Sequence, residues 1–233
     1  MQLGPDTSGT ELITGGALTA LVRRPEGTAS ASGSPALVMI HGFGANEGDI
    51  YELVPFVDKR VLVVAPRGPM KVDENPRGSW RWSVPQEDGS PDPAVLQESV
   101  GKVATLIGQL SELTGVKVDP TQVYLGGFSQ GGLMSLEMAA NYPDLLAGIL
   151  PQSGFISAGA EEKLRAGVFK GKPAFVAHGT RDQVLGVEKG RHIKEVLEAG
   201  GVDLTYKEYN FGHVTSPESR RDFANWLNPR LRF

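Results

Sequence analysis

Val123-Tyr124-Leu125-Gly126-Gly127-Phe128-Ser129-Gln130-Gly131-Gly132-Leu133-Met134 is the stretch that decides the fold of this chain. Val123–Gly126 reads as a strand, Gln130–Asn141 as a helix, and Gly127–Gly131 fills the turn between them with the pattern G-x-S-x-G. Alone, that pattern is weak in a chain with 30 glycines. Its setting is what carries weight, because a nucleophile elbow requires a strand before it and a helix after it. A serine in so sharp a turn sits in strained backbone, and a β-carbon on either side would strike the neighbouring strand or helix. Gly126 and Gly132 extend the small-residue zone. The competing reading is a serine that merely caps a helix in a glycine-rich turn.

Outward from the elbow the alternation continues. Leu18–Val22, Ala36–Ile40, Val61–Ala65, Ala147–Leu150, Pro173–His178 and Leu204–Tyr209 read as strands. Most are unbroken runs of Val, Ile, Leu and Ala, as in strands buried on both faces of a parallel sheet. Helical patterns at Ile50–Val57, Pro93–Leu113, Glu188–Ala199 and Pro217–Leu227 separate them, with Gly200-Gly201 closing one helix and Pro143 following another. The 233 residues contain no linker-like segment. They are therefore expected to form one α/β domain over 1–233, a mostly parallel central sheet with helices on both faces. Thr28–Pro35, rich in Ser, Ala and Gly, reads as a hairpin loop between the first strands. Arg67–Pro91 is long and rich in Pro and Gly, yet carries Trp80 and Trp82; such loops are often functional. No insertion is large enough for a helical lid.

Composition narrows the function classes. Hydrophobic residues make up 40% and charged residues 21%, ordinary for a globular protein with a real core. A net charge of −4 with scattered basic residues gives no footprint for nucleic acid or an anionic membrane. The absence of cysteine excludes disulfides, thiolate metal sites and a cysteine nucleophile, and suits a reducing cytosol. Met1–Ala20 has neither the basic start nor the apolar run of a signal peptide, and no stretch is long enough to span a membrane. A cytoplasmic location is expected.

A serine hydroxyl needs a base, and the base needs an orienting partner. Of the four histidines, His41 and His178 each end a strand and read as braces for loops at the sheet's carboxyl edge. His192 lies on a charged helical face and reads as solvated. His213, between the last strand and the last helix, is the only histidine after Asp182, so the chain order Ser…Asp…His selects it. Asp182 follows the strand Pro173–His178 at the sheet's carboxyl edge, where ligands bind in open α/β folds. Asp203, Glu208 and Asp222 are rival acids with poorer placement. The histidine spacing fits no metal motif, so neither a metal nor another cofactor is expected.

His41-Gly42-Phe43-Gly44 follows the strand Ala36–Ile40 and has the form of a glycine-rich oxyanion loop. The amides of Phe43 and Gln130 are its candidate donors, the second at a helix N-terminus whose partial positive charge favours an anion. Removing such a donor costs on the order of 3–4 kcal/mol of transition-state stabilisation. A dinucleotide-loop reading fails, because Gly48 lies one residue too far along for G-x-G-x-x-G and the next strand ends in Ala65-Pro66 without an acid.

Taken in order, these segments resemble the carboxylesterase/phospholipase family of α/β-hydrolases, which includes acyl-protein thioesterases and small bacterial carboxylesterases. The resemblance runs from about Leu37 to the C-terminus. It rests on His41-Gly42-Phe43-Gly44, Ala65-Pro66-Arg67-Gly68, Trp80-Arg81-Trp82, Gly127–Gly132, His178–Asp182 and Gly212-His213. It implies an α/β-hydrolase fold without a large lid, a triad of Ser129, Asp182 and His213, and hydrolysis of small-molecule esters of short to medium acyl chains. By analogy Phe43, Trp82 and Leu185 would line the acyl pocket. Cytosolic, metal-free action is also implied, often as a homodimer and without membrane insertion. The chain departs from the family in having Val184-Leu185 where Val-Pro usually follows the acid. Two rivals remain: a thioesterase or lysophospholipase using the same triad, and a hydrolase-like binding protein without turnover.

Overall fold

The computed structural model describes residues 9–27, 30–73 and 78–233. Its ten strands are β1 (Glu11–Ile13), β2 (Ala20–Arg23), β3 (Ser34–Ile40), β4 (Leu62–Pro66), β5 (Met70–Lys71), β6 (Trp80–Arg81), β7 (Val118–Phe128), β8 (Gly148–Gln152), β9 (Pro173–Gly179) and β10 (Asp203–Tyr209). The five α-helices are α1 (Pro93–Thr114), α2 (Gln130–Asn141), α3 (Ala158–Arg165), α4 (Val187–Ala199) and α5 (Pro217–Leu227). Eight strands form one sheet in the order β1-β2-β4-β3-β7-β8-β9-β10. From β4 to β10 every pairing is parallel, while β1 and β2 add antiparallel pairs at one edge. The sequence reading of a mostly parallel sheet holds.

Burial on both faces follows from the alternation along each strand. In β3, Ala36, Val38 and Ile40 join a core with Leu96 of α1, Leu133 of α2, Leu164 of α3 and Ile193 of α4. Leu37 and Met39 join the opposite core with Leu53, Phe223 and Trp226. Each such Val, Leu, Ile, Met or Phe side chain, fully buried, contributes about 1.5–3 kcal/mol of hydrophobic stabilisation. Local signals set the helix ends. Asp92 accepts the N–H groups of Ala94 and Val95 at 2.9 and 3.0 Å, Pro93 opens α1, and Gly115 ends it in the left-handed region at φ 67°. A reciprocal pair, Ser216 and Ser219, starts α5.

Several expectations are corrected. Thr28–Pro35 is not a hairpin loop: β2 pairs with β4, so the connection passes over β4 to reach β3, and residues 28–29 lie outside the described residues. The chain's first hairpin is β1–β2 instead. The helical pattern at Ile50–Val57 takes the form of a 3₁₀ helix over Asp49–Phe56, and Pro55 within it removes a donor. The stretch Arg67–Pro91, of which 74–77 lie outside the described residues, carries the small antiparallel pair β5–β6. β1 and α3 were not expected at all. Among the described residues no helical lid covers the carboxyl edge of the sheet, and no helix is long and apolar enough to cross a membrane.

Candidate active site

The parallel strands deliver three loops to one edge. Ser129 stands between β7 and α2 with φ 57° and ψ −115°, a backbone region that costs a non-glycine residue on the order of 1–3 kcal/mol. Close packing leaves no alternative: a β-carbon on Gly127 would overlap the carbonyl of Gly131, and one on Gly131 the carbonyl of Ile40 in β3. Ser129 occupies the N-cap position of α2, yet its hydroxyl makes no cap hydrogen bond. It lies instead 2.9 Å from Nε2 of His213.

His213 sits in the loop after β10, its ring packed against Phe128 with centroids 4.8 Å apart. Nδ1 of His213 lies 2.7 Å from Oδ2 of Asp182. The other carboxylate oxygen, Oδ1, accepts the N–H groups of Val184 and Leu185 at 2.9 and 2.8 Å. Burial pushes the Asp182 carboxyl up, but the hydrogen bonds from His213, Leu185 and Val184 outweigh it and hold it below the usual carboxylate range. The Val184-Leu185 departure thus has a visible effect, since a proline at 185 could not donate this N–H. His178, fully buried, donates from Nε2 to the Leu185 carbonyl at 2.7 Å and braces the same loop.

The rival acids lie elsewhere. Glu208 is held by Arg191 and Tyr206, Asp222 by Lys207 and Tyr209, and Asp203 opens β10 at the amino end of the sheet. His192 is not simply solvated; its Nε2 lies 2.8 Å from Glu161.

The loop after β3 is fastened to the segment 67–82. Nδ1 of His41 donates to the Gly42 carbonyl at 2.7 Å, and its Nε2 accepts the Gly68 N–H at 2.9 Å. Arg67 reaches back through a bidentate pair with Glu47, and Gly44 N–H donates to the Trp80 carbonyl at 2.9 Å. Phe43 and Gln130 therefore stand on anchored backbone, and neither amide donates to an acceptor among the described residues. The Gln130 side chain supplies a tie that sequence reasoning missed. Its Oε1 accepts the Trp82 N–H at 2.8 Å and its Nε2 donates to the Ser83 carbonyl at 3.1 Å.

Trp82 is a correction. Its ring is 0% exposed, joins the core with Leu96 and Leu133, and donates its indole N–H to the His41 carbonyl at 3.1 Å. A side chain with no surface cannot wall a pocket; Trp82 braces the loop from beneath. Phe43, by contrast, is 58% exposed, and Val184 and Val214, next to or near the triad residues in sequence, are exposed as well. Leu185 is half-buried, and both its amide and its carbonyl are used in fixing the Asp182 loop. A cavity of about 220 Å³ opens beside His213, lined largely by Ile50, Leu53, Phe128 and Val214.

His41 gives the site a pH-dependent support. Burial lowers its pKa from 6.5 to about 4, against the pull of the Gly42 carbonyl, so Nδ1 keeps the single proton and Nε2 stays an acceptor. Between pH 6.5 and about 4 the unfolded chain binds a proton that the native state refuses, so stability falls as the pH falls through that window. At ~1.4 kcal/mol per pH unit, this histidine accounts for about 3 kcal/mol. Urea denaturation of the wild type and of His41→Gln at pH 7 and pH 4 should give a drop larger by about that amount in the wild type. Equal drops would show that His41 does not titrate in this way.

Comparison with known proteins places this geometry. The family described as phospholipase/carboxylesterase matches residues 28–230. Acyl-protein thioesterase 1 of Mycosarcoma maydis is 29% identical over 213 residues, covering 82% of this chain and 89% of that protein. Carboxylesterase SOBER1 of Arabidopsis thaliana is 31% identical over 159 residues, covering 64% and 65%. Among solved structures, esterase PE8 superposes with a TM-score of 0.76 at 24% identity, over 89% of this chain and 96% of that one. The Bacillus cereus carboxylesterase gives 0.75 at 22%, over 91% and 94%. At those identities the structural likeness establishes the fold, and the family match carries the rest. The chain belongs to the phospholipase/carboxylesterase family and has the α/β-hydrolase fold.

Proposed function

We propose that this protein is a serine hydrolase that cleaves small-molecule carboxylic esters through an acyl-enzyme, with Ser129, His213 and Asp182 as its triad. One observation carries the reading: Asp182 Oδ2, His213 Nδ1 and Nε2, and Ser129 Oγ form a single hydrogen-bonded line with steps of 2.7 and 2.9 Å. Asp182 holds the proton on Nδ1, which leaves Nε2 free to accept the serine proton as Oγ attacks the carbonyl carbon. The oxyanion rests on the amides of Phe43 and Gln130, preorganised by the ties to segment 67–82 and by the start of α2. His213 then protonates the leaving oxygen, the alcohol departs, and water repeats the sequence on the acyl-enzyme.

Exposed apolar surface at Phe43, Val184 and Val214, on the loops that carry the site, supports acyl chains of short to medium length. Each methylene that it covers gains at most ~0.8 kcal/mol. A thioester reading has separate support in the relatives named acyl-protein thioesterase, since the same machinery cleaves both bonds. The continuous sheet, with strands from both ends of the chain, supports one domain over 1–233. By resemblance to the family, the reading extends to a cytoplasmic homodimer that needs no metal.

Active-site labelling tests this reading. A fluorophosphonate should attach once per chain, and peptide mapping should place it on Ser129. Labelling at another serine, or none at all in folded protein, would remove Ser129 as the nucleophile.

A further inference from the structure

We propose that the cavity beside His213 receives the leaving group and is built for a small, uncharged alcohol of about benzyl size. The inference rests on the ester-hydrolase reading above. In the tetrahedral intermediate the carbon carries Ser129 Oγ, the oxyanion, the acyl substituent and the leaving oxygen. The oxyanion points to the amides of Phe43 and Gln130. The leaving oxygen must lie at Nε2 of His213, because that atom supplies its proton. Whatever is attached to that oxygen therefore continues along the His213 side of the site. A cavity of about 220 Å³ adjoins it, lined by His213 and Gly42 together with Ile50 and Leu53 of the 3₁₀ helix. An apolar cavity of ~150 Å³ holds a benzene ring, so this one admits a ring with a methylene and little more.

Charge sharpens the choice. Apart from His213 and the buried His41, the ionisable residues lining the cavity are Asp49 and Glu52, both acidic, and among the described residues no lysine or arginine lines it. Glu52 is ion-paired with Arg220, whereas the Asp49 carboxylate accepts the Asn46 N–H at 2.9 Å. A phosphodiester or carboxylate on the leaving group would face a carboxylate instead of a cation. Arg220 of α5 ties opposite parts of the lining together. Its side chain joins two of the lining residues, donating from Nε to Thr215 Oγ1 at 2.8 Å while its guanidinium is taken up by Glu52 on the 3₁₀ helix. The two walls of the cavity are thereby tied to one another, and a bulkier alcohol cannot spread them without breaking that strut.

The test keeps the acyl group constant and varies the alcohol. Butyrate esters of ethanol, benzyl alcohol, 1-naphthylmethanol and 4-carboxybenzyl alcohol are all esters of primary alcohols, which limits differences in intrinsic reactivity. The expected kcat/KM rises about tenfold or more from ethyl to benzyl, within the range that filling an apolar pocket supplies, and falls for the naphthylmethyl and carboxybenzyl esters. Ala45→Phe, which fills the cavity from its half-buried wall, should bring the benzyl-to-ethyl ratio to near one. Leu53→Ala should instead raise the naphthylmethyl-to-benzyl ratio, so a folding defect in one variant leaves the other informative. Fluorophosphonate labelling checks that each variant retains its elbow. A flat alcohol series in the wild type, or ratios unmoved in both variants, overturns the leaving-group site. So does an Ala45→Phe effect confined to a series of ethyl esters from acetate to octanoate, which would assign the cavity to the acyl chain. Failure to hydrolyse any of the esters, with Ser129 unlabelled, would instead strike the ester-hydrolase reading itself.

Discussion

Ser129→Ala is expected to lower kcat/KM for ester hydrolysis by about 10⁴- to 10⁶-fold while leaving the fold intact. The size follows from the line of hydrogen bonds through Asp182 and His213, which has no purpose without a nucleophile at its end. Members of such a unit are not additive, so losing one costs nearly as much as losing all. The substitution is clean for a structural reason. The hydroxyl makes no cap bond to α2, so removing it takes nothing from the helix, and alanine keeps the β-carbon in the same backbone. Circular dichroism and a denaturation midpoint close to wild type should accompany the loss. A correctly folded alanine variant that kept a tenth of wild-type activity would end the assignment.

Asp182→Asn should depress turnover by roughly 10⁴-fold, and the reason lies in its two differently occupied oxygens. Oδ1 accepts two backbone N–H groups, from Val184 and Leu185. In asparagine the carbonyl oxygen must stay with those two donors, which turns the NH₂ toward Nδ1 of His213. Nδ1 then becomes the acceptor, the ring proton moves to Nε2, and the imidazole can no longer take the serine proton. The loop keeps its shape while the tautomer is wrong. Changes at Asp222 or Glu208, each tied to its own lysine or arginine, should leave turnover within the same order of magnitude. Steady-state kinetics on variants of the four acids decides the matter: near-normal rates in Asp182→Asn with loss at Asp203, Glu208 or Asp222 would move the acid.

Most of the sheet was legible because its strands are continuous apolar runs, and a run buried on both faces needs no partner to be recognised. The elbow was legible because the glycines around Ser129 answer a local steric demand, visible as overlaps with Gly131 and Ile40. What escaped depends on distant contacts or on very short elements. Only Ala160 and Leu164 of α3 are buried, too few for a periodic signal. β1 has three residues, and β5 and β6 two each, held by pairing rather than by pattern. Trp82 was misplaced because a tryptophan in a proline-rich stretch says nothing of which way its ring turns; the core beneath decided that. The Gln130 side chain holds Trp82 and Ser83, 48 and 47 residues away in sequence, a tie that no local spacing reveals.

The twisted backbone at Ser129 has a bearing on how such a protein can drift over generations. At φ 57° any residue with a β-carbon is strained, and glycine alone would relax the turn. Selection for a sturdier molecule would therefore favour glycine at this position, giving a more stable chain without the proposed nucleophile. Under the proposed mechanism turnover is what keeps serine there, so a lineage released from that demand should lose its hydroxyl at this residue before its fold begins to decay.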